Sequence, residues 1–138
     1  MKLGTRYYES SARHVAAVES LDTRVVSLLA PSIRLIVQRI APEIMRDVNE
    51  IRLRAGRPLG LTLRKGQSWV TAEGELVSDA RSAYIVSLEE CGTTLQLMSQ
   101  SSVYALEQEL RSGYLTLPGG HRVGFTGEAV VDGGEVRF

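Results

Sequence analysis

Apolar residues recur at the three- and four-residue spacing of a helix between positions 25 and 40. They are Val25, Val26, Leu28, Leu29, Ile33, Ile36, Val37 and Ile40. Asp22 is placed to cap the first turn, and Pro31, a residue tolerated in the first turn of a helix, divides the run. The pattern predicts two short helices, or one helix that is broken at Pro31.

From Asn49 the apolar period changes from that of a helix to two residues. Ile51 and Leu53 alternate with arginines, and the alternation resumes at Leu59 after the turn residues Gly56-Arg57-Pro58. Such alternation is typical of a strand with one buried face. Turn residues at 64–67 and 73–75 separate two further apolar runs. The region predicts a meander of short antiparallel strands.

A helical pattern returns after Ser87, which forms a capping box with Glu90. One face of this helix is predicted to point inward, and its members are Leu88, Cys91, Leu95 and Met98. A second short helix is predicted to begin at Ser101 or Ser102 and to end at Gly113.

Strand patterns occupy the remaining residues, over 114–117, over 122–131 and from 135 onward, and glycine-rich turns separate them. The last pattern stops at Phe138 without a cap, so we expect a domain of a longer protein. Helical and strand segments are segregated and show no βαβ alternation. This order predicts an α+β fold of short antiparallel strands with helices packed on one side, in the order helices, strands, helices, strands.

Composition excludes several classes of protein. The 138 residues carry 16 basic and 16 acidic side chains, a balance that disfavours nucleic acid as a partner. Cys91 is the one cysteine, which excludes an intrachain disulfide and fits a reducing compartment. His14 and His121 have no neighbours at metal-ligand spacing, so no metal site is predicted. No apolar run is long enough to span a bilayer.

Glycine-rich phosphate-binding loops are also missing from the sequence. Neither GxxxxGK[ST], the Walker A pattern, nor GxGxxG occurs. Because no paired carboxylates or nucleophile with an adjacent base stand out either, no catalytic residue and no cofactor are predicted for this chain. Lys2 and Lys65 are its lysines, so arginine supplies nearly all the positive charge. Arginine suits bidentate contacts with carboxylates and phosphates.

Three stretches stand out by the specificity of their residues. They are NEIRLRAGRPL at 49–59, YALEQELRSGY at 104–114 and LPGGHRVGFTGE at 117–128. Read together, they resemble the amino-terminal region of the stage III sporulation protein AA family, over roughly residues 25–138. We therefore expect 22–138 to be an α+β amino-terminal domain, and 1–21 to be a loosely ordered extension outside the resemblance.

The resemblance implies a function for the full-length protein. Members of the family are similar to secretion-type ATPases, in which such a domain precedes a RecA-like domain that binds ATP and Mg²⁺. It implies self-association into a ring, docked on the cytoplasmic side of membrane channel proteins that link mother cell and forespore. This sequence departs from that pattern because it has no Walker A loop. We expect the RecA-like domain to be absent from this chain, and hydrolysis with it.

Arg52, Arg54 and Arg57 form the first candidate site. In one interpretation they are the solvated outer positions of a half-buried strand. In another, implied by the resemblance, they meet an acidic partner surface or reach the phosphates of ATP held by a neighbouring ATPase domain. RNA binding by the strand is a third interpretation, although the strand lacks an aromatic stacking platform.

The turn at Gly119, Gly120 and His121, followed by Arg122, forms the second candidate site. The glycines permit positive φ, and a polar pair at the start of a strand needs no function. Alternatively, backbone N–H groups of the turn lie beside a cation and bind an anion or a carboxylate of another subunit.

Two functions are consistent with these features. The chain is an assembly and docking domain of a sporulation ATPase, peripheral to a membrane complex, as the resemblance implies. The alternative is an independent α+β module that binds RNA or protein.

Overall fold

The computed structural model describes residues 5–7, 23–99, 111, 114–117, 119–124, 130–132 and 135–137. Helices and antiparallel sheets both occur in these residues, and the α+β class is confirmed. The predicted order of helices, strands, helices and strands is observed from Thr23 onward.

The described helices are short. They are α1 (Thr23–Val26), α2 (Pro31–Arg39), α3 (Pro42–Met45) and α4 (Leu88–Met98). The predicted break at Pro31 is confirmed, and Pro31 and Pro42 each begin a helix, where a missing N–H removes no hydrogen bond. The apolar spacing does not predict α3, because four residues are too few to show a period. Asp22, the predicted cap of α1, lies outside the described residues. None of these helices has the length and apolarity that a membrane crossing requires.

The predicted meander is confirmed as a four-stranded antiparallel sheet. Its strands are β2 (Val48–Arg52), β3 (Gly60–Leu63), β4 (Gly66–Val70) and β5 (Leu76–Val77), and their order in the sheet is their order in the chain. A register shift between Val48 and Glu50 marks a bulge in β2. Beyond it, Arg52 lies opposite Gly60, and Gly60 lies opposite Trp69.

A second sheet combines residues from far apart in the chain. Its strands are β1 (Thr5–Tyr7), β6 (Tyr114–Leu117) and β7 (His121–Gly124), in the order β1-β7-β6. The turn between β6 and β7 falls at Gly119 and Gly120, as predicted. A separate antiparallel pair is formed by β8 (Val130–Asp132) and β9 (Glu135–Arg137).

Several predictions concern residues that are not described. β1 lies within the predicted extension 1–21, and the rest of that segment lies outside the described residues. The predicted helix that ends at Gly113 also lies outside the described residues, except for Arg111, which is helical. Of the predicted strand 122–131, residues 125–129 are not described.

Both sheets and the longer helices contribute to one hydrophobic core among the described residues. The meander contributes Ile51, Leu61 and Val70, and α2 contributes Ile33, Ile36 and Val37. Burying each of these side chains stabilises the fold by about 1.5–3 kcal/mol. Cys91 of α4 is buried as predicted, and this burial raises the pKa of its thiol.

The predicted inward position of Leu88 is wrong, because its side chain is 52% exposed. The buried stripe of α4 includes Glu90 and Thr94 together with Cys91, Leu95 and Met98. At about 100° per residue, this stripe is rotated away from Leu88, which falls at its margin. Two polar residues therefore occupy inward positions that an apolar count alone does not assign to them.

The turn between β4 and β5 packs against the end of α2. Gly74 adopts a φ of +84°, and a Cβ placed there would lie 2.7 Å from the Cβ of Arg39 and 2.9 Å from its carbonyl carbon. Nη1 of Arg39 donates to the carbonyl oxygen of Ala72 in the same turn, at 3.2 Å. Gly74 is thus required both by its backbone conformation and by the closeness of the helix.

Replacing Gly74 with alanine tests this contact. We expect Gly74→Ala to lower the free energy of unfolding by about 3 kcal/mol, since left-handed strain and a backbone clash both oppose the methyl group. Gly56→Ala is the matched control, because Gly56 has a φ of +71° and open space around it. It should cost about 1 kcal/mol. Equal losses for the two variants in urea unfolding would show that the helix contact contributes nothing.

Candidate functional site

Arg52, the first of the predicted site residues, is held in place by its neighbours. Its Nε donates to Oε1 of Glu50 at 2.8 Å, and the two side chains are 18% and 6% exposed. When the Gln67 amide is oriented with its oxygen towards the guanidinium, that oxygen accepts from Nη1 at 2.9 Å and from Nη2 at 3.1 Å. The guanidinium lies on the outer face of the meander with its hydrogen bonds directed to this chain.

An aromatic side chain covers the same face. The register from Arg52 through Gly60 to Trp69 places these three positions in one row across the sheet. A Cβ at Gly60 would lie 3.0 Å from Cζ3 of Trp69, so the ring packs over the glycine. Together, Glu50, Gln67 and the Trp69 ring leave Arg52 half-buried rather than free in solvent.

Arg54 and Arg57 have different surroundings from Arg52 and from each other. Arg54 is half-buried, and its Nε has no hydrogen-bond partner among the described residues. Arg57 is exposed in the turn after β2. That turn is anchored, since Gly56 N–H donates to the Val86 carbonyl at 2.7 Å and Val86 N–H donates to the Arg57 carbonyl at 2.9 Å. The first candidate site therefore presents one exposed arginine, Arg57, on an anchored turn.

The second candidate site is divided between two faces of its sheet. Gly119 and Gly120 have φ values of 91° and 84°, and Gly120 N–H donates to the Leu117 carbonyl at 3.1 Å. His121 is 2% exposed and lies on the buried face. The Arg122 guanidinium lies on the other face, 4.4 Å from the centroid of the Tyr114 ring. The two candidate sites belong to different sheets, and β1 lies beside both, since it pairs with β7 and packs near β2.

Among the described residues, one buried carboxylate with several hydrogen-bond partners was not a predicted site residue. It is the buried carboxylate of Glu90, which joins α2, the chain before α4, and α4 itself. Its Oε2 accepts hydrogen bonds from the hydroxyls of Ser32, on α2, and of Tyr84, the latter at 2.6 Å. Its Oε1 accepts from Ser87 N–H at 2.8 Å, and Ser87 Oγ accepts from Glu90 N–H at 3.0 Å. The predicted capping box is confirmed, but it is only half of the network.

The network keeps Glu90 charged. Burial alone would raise the pKa of this carboxyl, but hydrogen bonds from Ser32, Tyr84 and Ser87 outweigh it, and the pKa lies below its ordinary value. The hydrogen bond to Glu90, with burial, raises the pKa of the Tyr84 hydroxyl. A second polar link lies nearby, where Ala30 N–H donates to the buried Oγ1 of Thr94 at 2.9 Å. The start of α2 is thus tied to α4 at two points.

Three large apolar side chains are exposed on the elements that Glu90 joins. Leu35 on α2 is 55% exposed, Leu88 at the start of α4 is 52% exposed, and Ile85 between them in sequence is 51% exposed. Side chains of this size stabilise a fold only when they are removed from water. Burial of any of them against a partner would remove apolar surface from water, so they are candidate contact residues.

An acidic side chain occupies the starts of two described helices. Phosphates bind at helix N-termini whose free N–H groups face a glycine-rich loop. Here the first turns of α2 and α4, the longest described helices, both meet the Glu90 carboxylate, which would repel a phosphate. Among the described residues there is also no group of three or more metal-ligating side chains.

Comparisons with known proteins agree with the resemblance in the sequence. Residues 19–138 match the family described as "Sporulation stage III, protein AA". The chain is 30% identical over 113 residues to the "Stage III sporulation protein AA" of Bacillus subtilis (strain 168). The alignment covers 82% of this chain and 33% of that relative, so it spans about a third of the relative's length. No solved structure matches the chain.

The charge of Glu90 makes stability depend on pH. Because its pKa in the folded protein is below the unfolded value of about 4.3, its contribution is complete above that value and is lost as the pH falls through the folded pKa. We expect Glu90→Gln to lower the free energy of unfolding by about 1–3 kcal/mol at pH 7. The difference from the unmodified chain should shrink as urea unfolding is repeated towards pH 3.

Glu89→Gln is the control for Glu90→Gln. Glu89 is an exposed carboxylate in the same first turn of α4 and makes none of these hydrogen bonds. Glu89→Gln should change the free energy of unfolding by a few tenths of a kcal/mol, because it alters only the interaction with the helix dipole. A difference between Glu90→Gln and the unmodified chain that stays constant between pH 7 and pH 3 would contradict the role given to its charge.

Proposed function

Since the chain belongs to the stage III sporulation protein AA family, we propose that it is the assembly and docking domain of a longer sporulation protein. The longer protein is a secretion-type ATPase that forms a ring, and this domain contributes contacts between subunits rather than chemistry. The match to one third of a relative supports the view that this chain is one part of such a protein.

The observation that carries the docking role is the exposure of Leu35, Ile85 and Leu88, each by more than half. These side chains sit on elements that Glu90 and Thr94 tie together, so they are presented with little freedom to rearrange. A preorganised apolar surface loses less conformational entropy on binding than a mobile one. The occupant of this surface in the proposal is the neighbouring copy of the same protein.

Arg57 has a second role in the proposal. It is exposed on the anchored turn after β2, whereas Arg52 is engaged by Glu50 and Gln67. Of the three predicted arginines it is therefore the one placed to reach an anionic group of a neighbouring subunit. The resemblance to secretion-type ATPases implies that this anionic group is the phosphates of bound ATP.

Self-association of the full-length protein tests the proposal. We expect the combined variant Leu35→Ser and Leu88→Ser to weaken subunit association at least tenfold, because burial of each leucine contributes about 1.5 kcal/mol or more. Sedimentation velocity over a range of concentrations measures this weakening. Spore formation by bacteria that carry the variant in place of their own copy should fall with it.

Gln38→Ala provides the control, since Gln38 is exposed on the same helix and polar. It should leave association and spore formation unchanged. Thermal unfolding of each variant establishes that the fold is intact. If a folded Leu35→Ser and Leu88→Ser protein associates like the unmodified protein, this surface does not join subunits and the proposal fails.

A further inference from the structure

Two successive turns of the meander carry opposite charges. The basic turn, between β3 and β4, contains Arg64 and Lys65, and the acidic turn, between β4 and β5, contains Glu73 and Glu75. All four side chains are exposed. Among the described residues, none of the four forms an ion pair or a side-chain hydrogen bond. The meander therefore presents two charged groups of opposite sign to solvent.

The basic turn is tied to the start of β2. Arg64 N–H donates to the Asp47 carbonyl oxygen at 3.3 Å. Arg46 and Asp47, the two residues that precede β2, are exposed and half-buried and add one charge of each sign. They thus leave the positive charge of Arg64 and Lys65 in place.

The acidic turn is closed by its own backbone. Thr71 N–H donates to the Glu75 carbonyl oxygen at 2.9 Å, and Gly74 N–H donates to the Thr71 carbonyl oxygen at 3.0 Å. The Thr71 hydroxyl oxygen also accepts from Glu75 N–H at 3.1 Å. Both carboxylates therefore extend from an anchored turn.

The two turns lie at opposite ends of β4. The basic turn precedes Gly66 and the acidic turn follows Val70, the first and last residues of this strand. A strand advances by about 3.3 Å per residue, so the turns are about 15 Å apart. Within one chain their charges are too far apart to pair. Complementary surfaces at opposite ends of a molecule meet between copies, in a head-to-tail contact.

The acidic turn also borders the apolar contact of the proposed function. Nη1 of Arg39, at the end of α2, donates to the Ala72 carbonyl oxygen of this turn and not to a carboxylate. Leu35 lies on the same face of α2, one helical turn before Arg39. Charges that border an apolar contact fix the orientation of the partner more than they add affinity. The acidic turn is thus placed to orient the neighbour that buries Leu35.

We propose that the basic turn of one copy docks on the acidic turn of the next, so that the meanders of neighbouring subunits follow one another head to tail. This inference rests on the proposed function and names the surfaces that orient its subunits. Each copy supplies two cations at one end and two carboxylates at the other, so every contact is matched in number and sign. The chain as a whole is neutral, with 16 basic and 16 acidic residues, so copies do not repel one another through net charge.

Disulfide crosslinking of the full-length protein tests which surfaces meet. The combined variant Lys65→Cys and Glu73→Cys keeps Arg64 and Glu75 for the contact. We expect its oxidation to give a ladder of covalent oligomers on a denaturing gel that reductant removes. A disulfide requires Cα atoms within about 7 Å, so the two ends of one β4 cannot be joined. Lys65→Cys alone and Glu73→Cys alone should give no ladder, because each cysteine then meets an unchanged residue.

Charge reversal with rescue tests the same contact without cysteines. We expect Arg64→Glu with Lys65→Glu to weaken association in sedimentation velocity roughly tenfold, because attraction becomes repulsion at two positions. Glu73→Lys with Glu75→Lys should weaken it equally. The variant that carries all four changes should associate within about threefold of the unmodified protein, since each contact is again matched.

Glu43→Lys is the matched control for Glu73→Lys. Glu43 is an exposed carboxylate on α3, outside both turns, and its reversal changes the net charge by the same amount. Glu43→Lys should leave association unchanged. Thermal unfolding of every variant establishes that the proteins compared are folded.

Three outcomes would overturn the proposal. They are the absence of a ladder from the combined cysteine variant in a protein that sediments as an oligomer, a crosslinked dimer from Lys65→Cys alone, and a fourfold variant that associates as weakly as the twofold ones. Each leaves the contact at Leu35 and Leu88 standing, because the serine variants measure it independently. Conversely, a ladder in a protein whose association ignores those serine variants would support the turn contact and reject the apolar one.

Discussion

A charged carboxylate inside the fold determines how the two longest described helices meet. Burying a carboxylate without partners would cost several kcal/mol, so Glu90 is tolerable only while its hydrogen-bond donors stay in place. Those donors come from α2, from the chain before α4 and from the cap of α4. The requirement is mutual, because Ser32 and Tyr84 are positioned by the same acceptor. The joint between the helices therefore behaves as a unit in which no member is replaced without loss to the others.

Much of the fold is encoded in short-range patterns. The break at Pro31, the meander, the capping box at Ser87 and the glycine turn at 119–120 each depend on residues a few positions apart, and each is found. The wrong prediction for Leu88 has a long-range cause. Leu88 is exposed because the buried stripe of α4 turns towards Glu90 and Thr94, whose partners Ser32 and Ala30 are far away in sequence. No local spacing contains that information.

Sequence patterns likewise predicted only part of what the structure shows at the candidate sites. Alternation of polar and apolar residues gave no sign that Glu50 and Gln67 would engage Arg52. The adjacent residues that follow the glycine turn also lie on opposite faces of the sheet. His121 is in the core, and Arg122 lies against the Tyr114 ring. The family itself was recognisable from its motifs, and the family match over residues 19–138 confirms it.

The pairing of β1 with β7 has a consequence for how the protein is made. Thr5 lies opposite Val123, so nearly the whole chain separates the two strands of this ladder. The β2–β5 meander closes through short turns and can form as soon as those residues leave the ribosome, whereas β1 has no strand to join until β7 has been synthesised. The three-stranded sheet therefore cannot be completed before β7 has been synthesised, whereas the meander needs only residues 48–77.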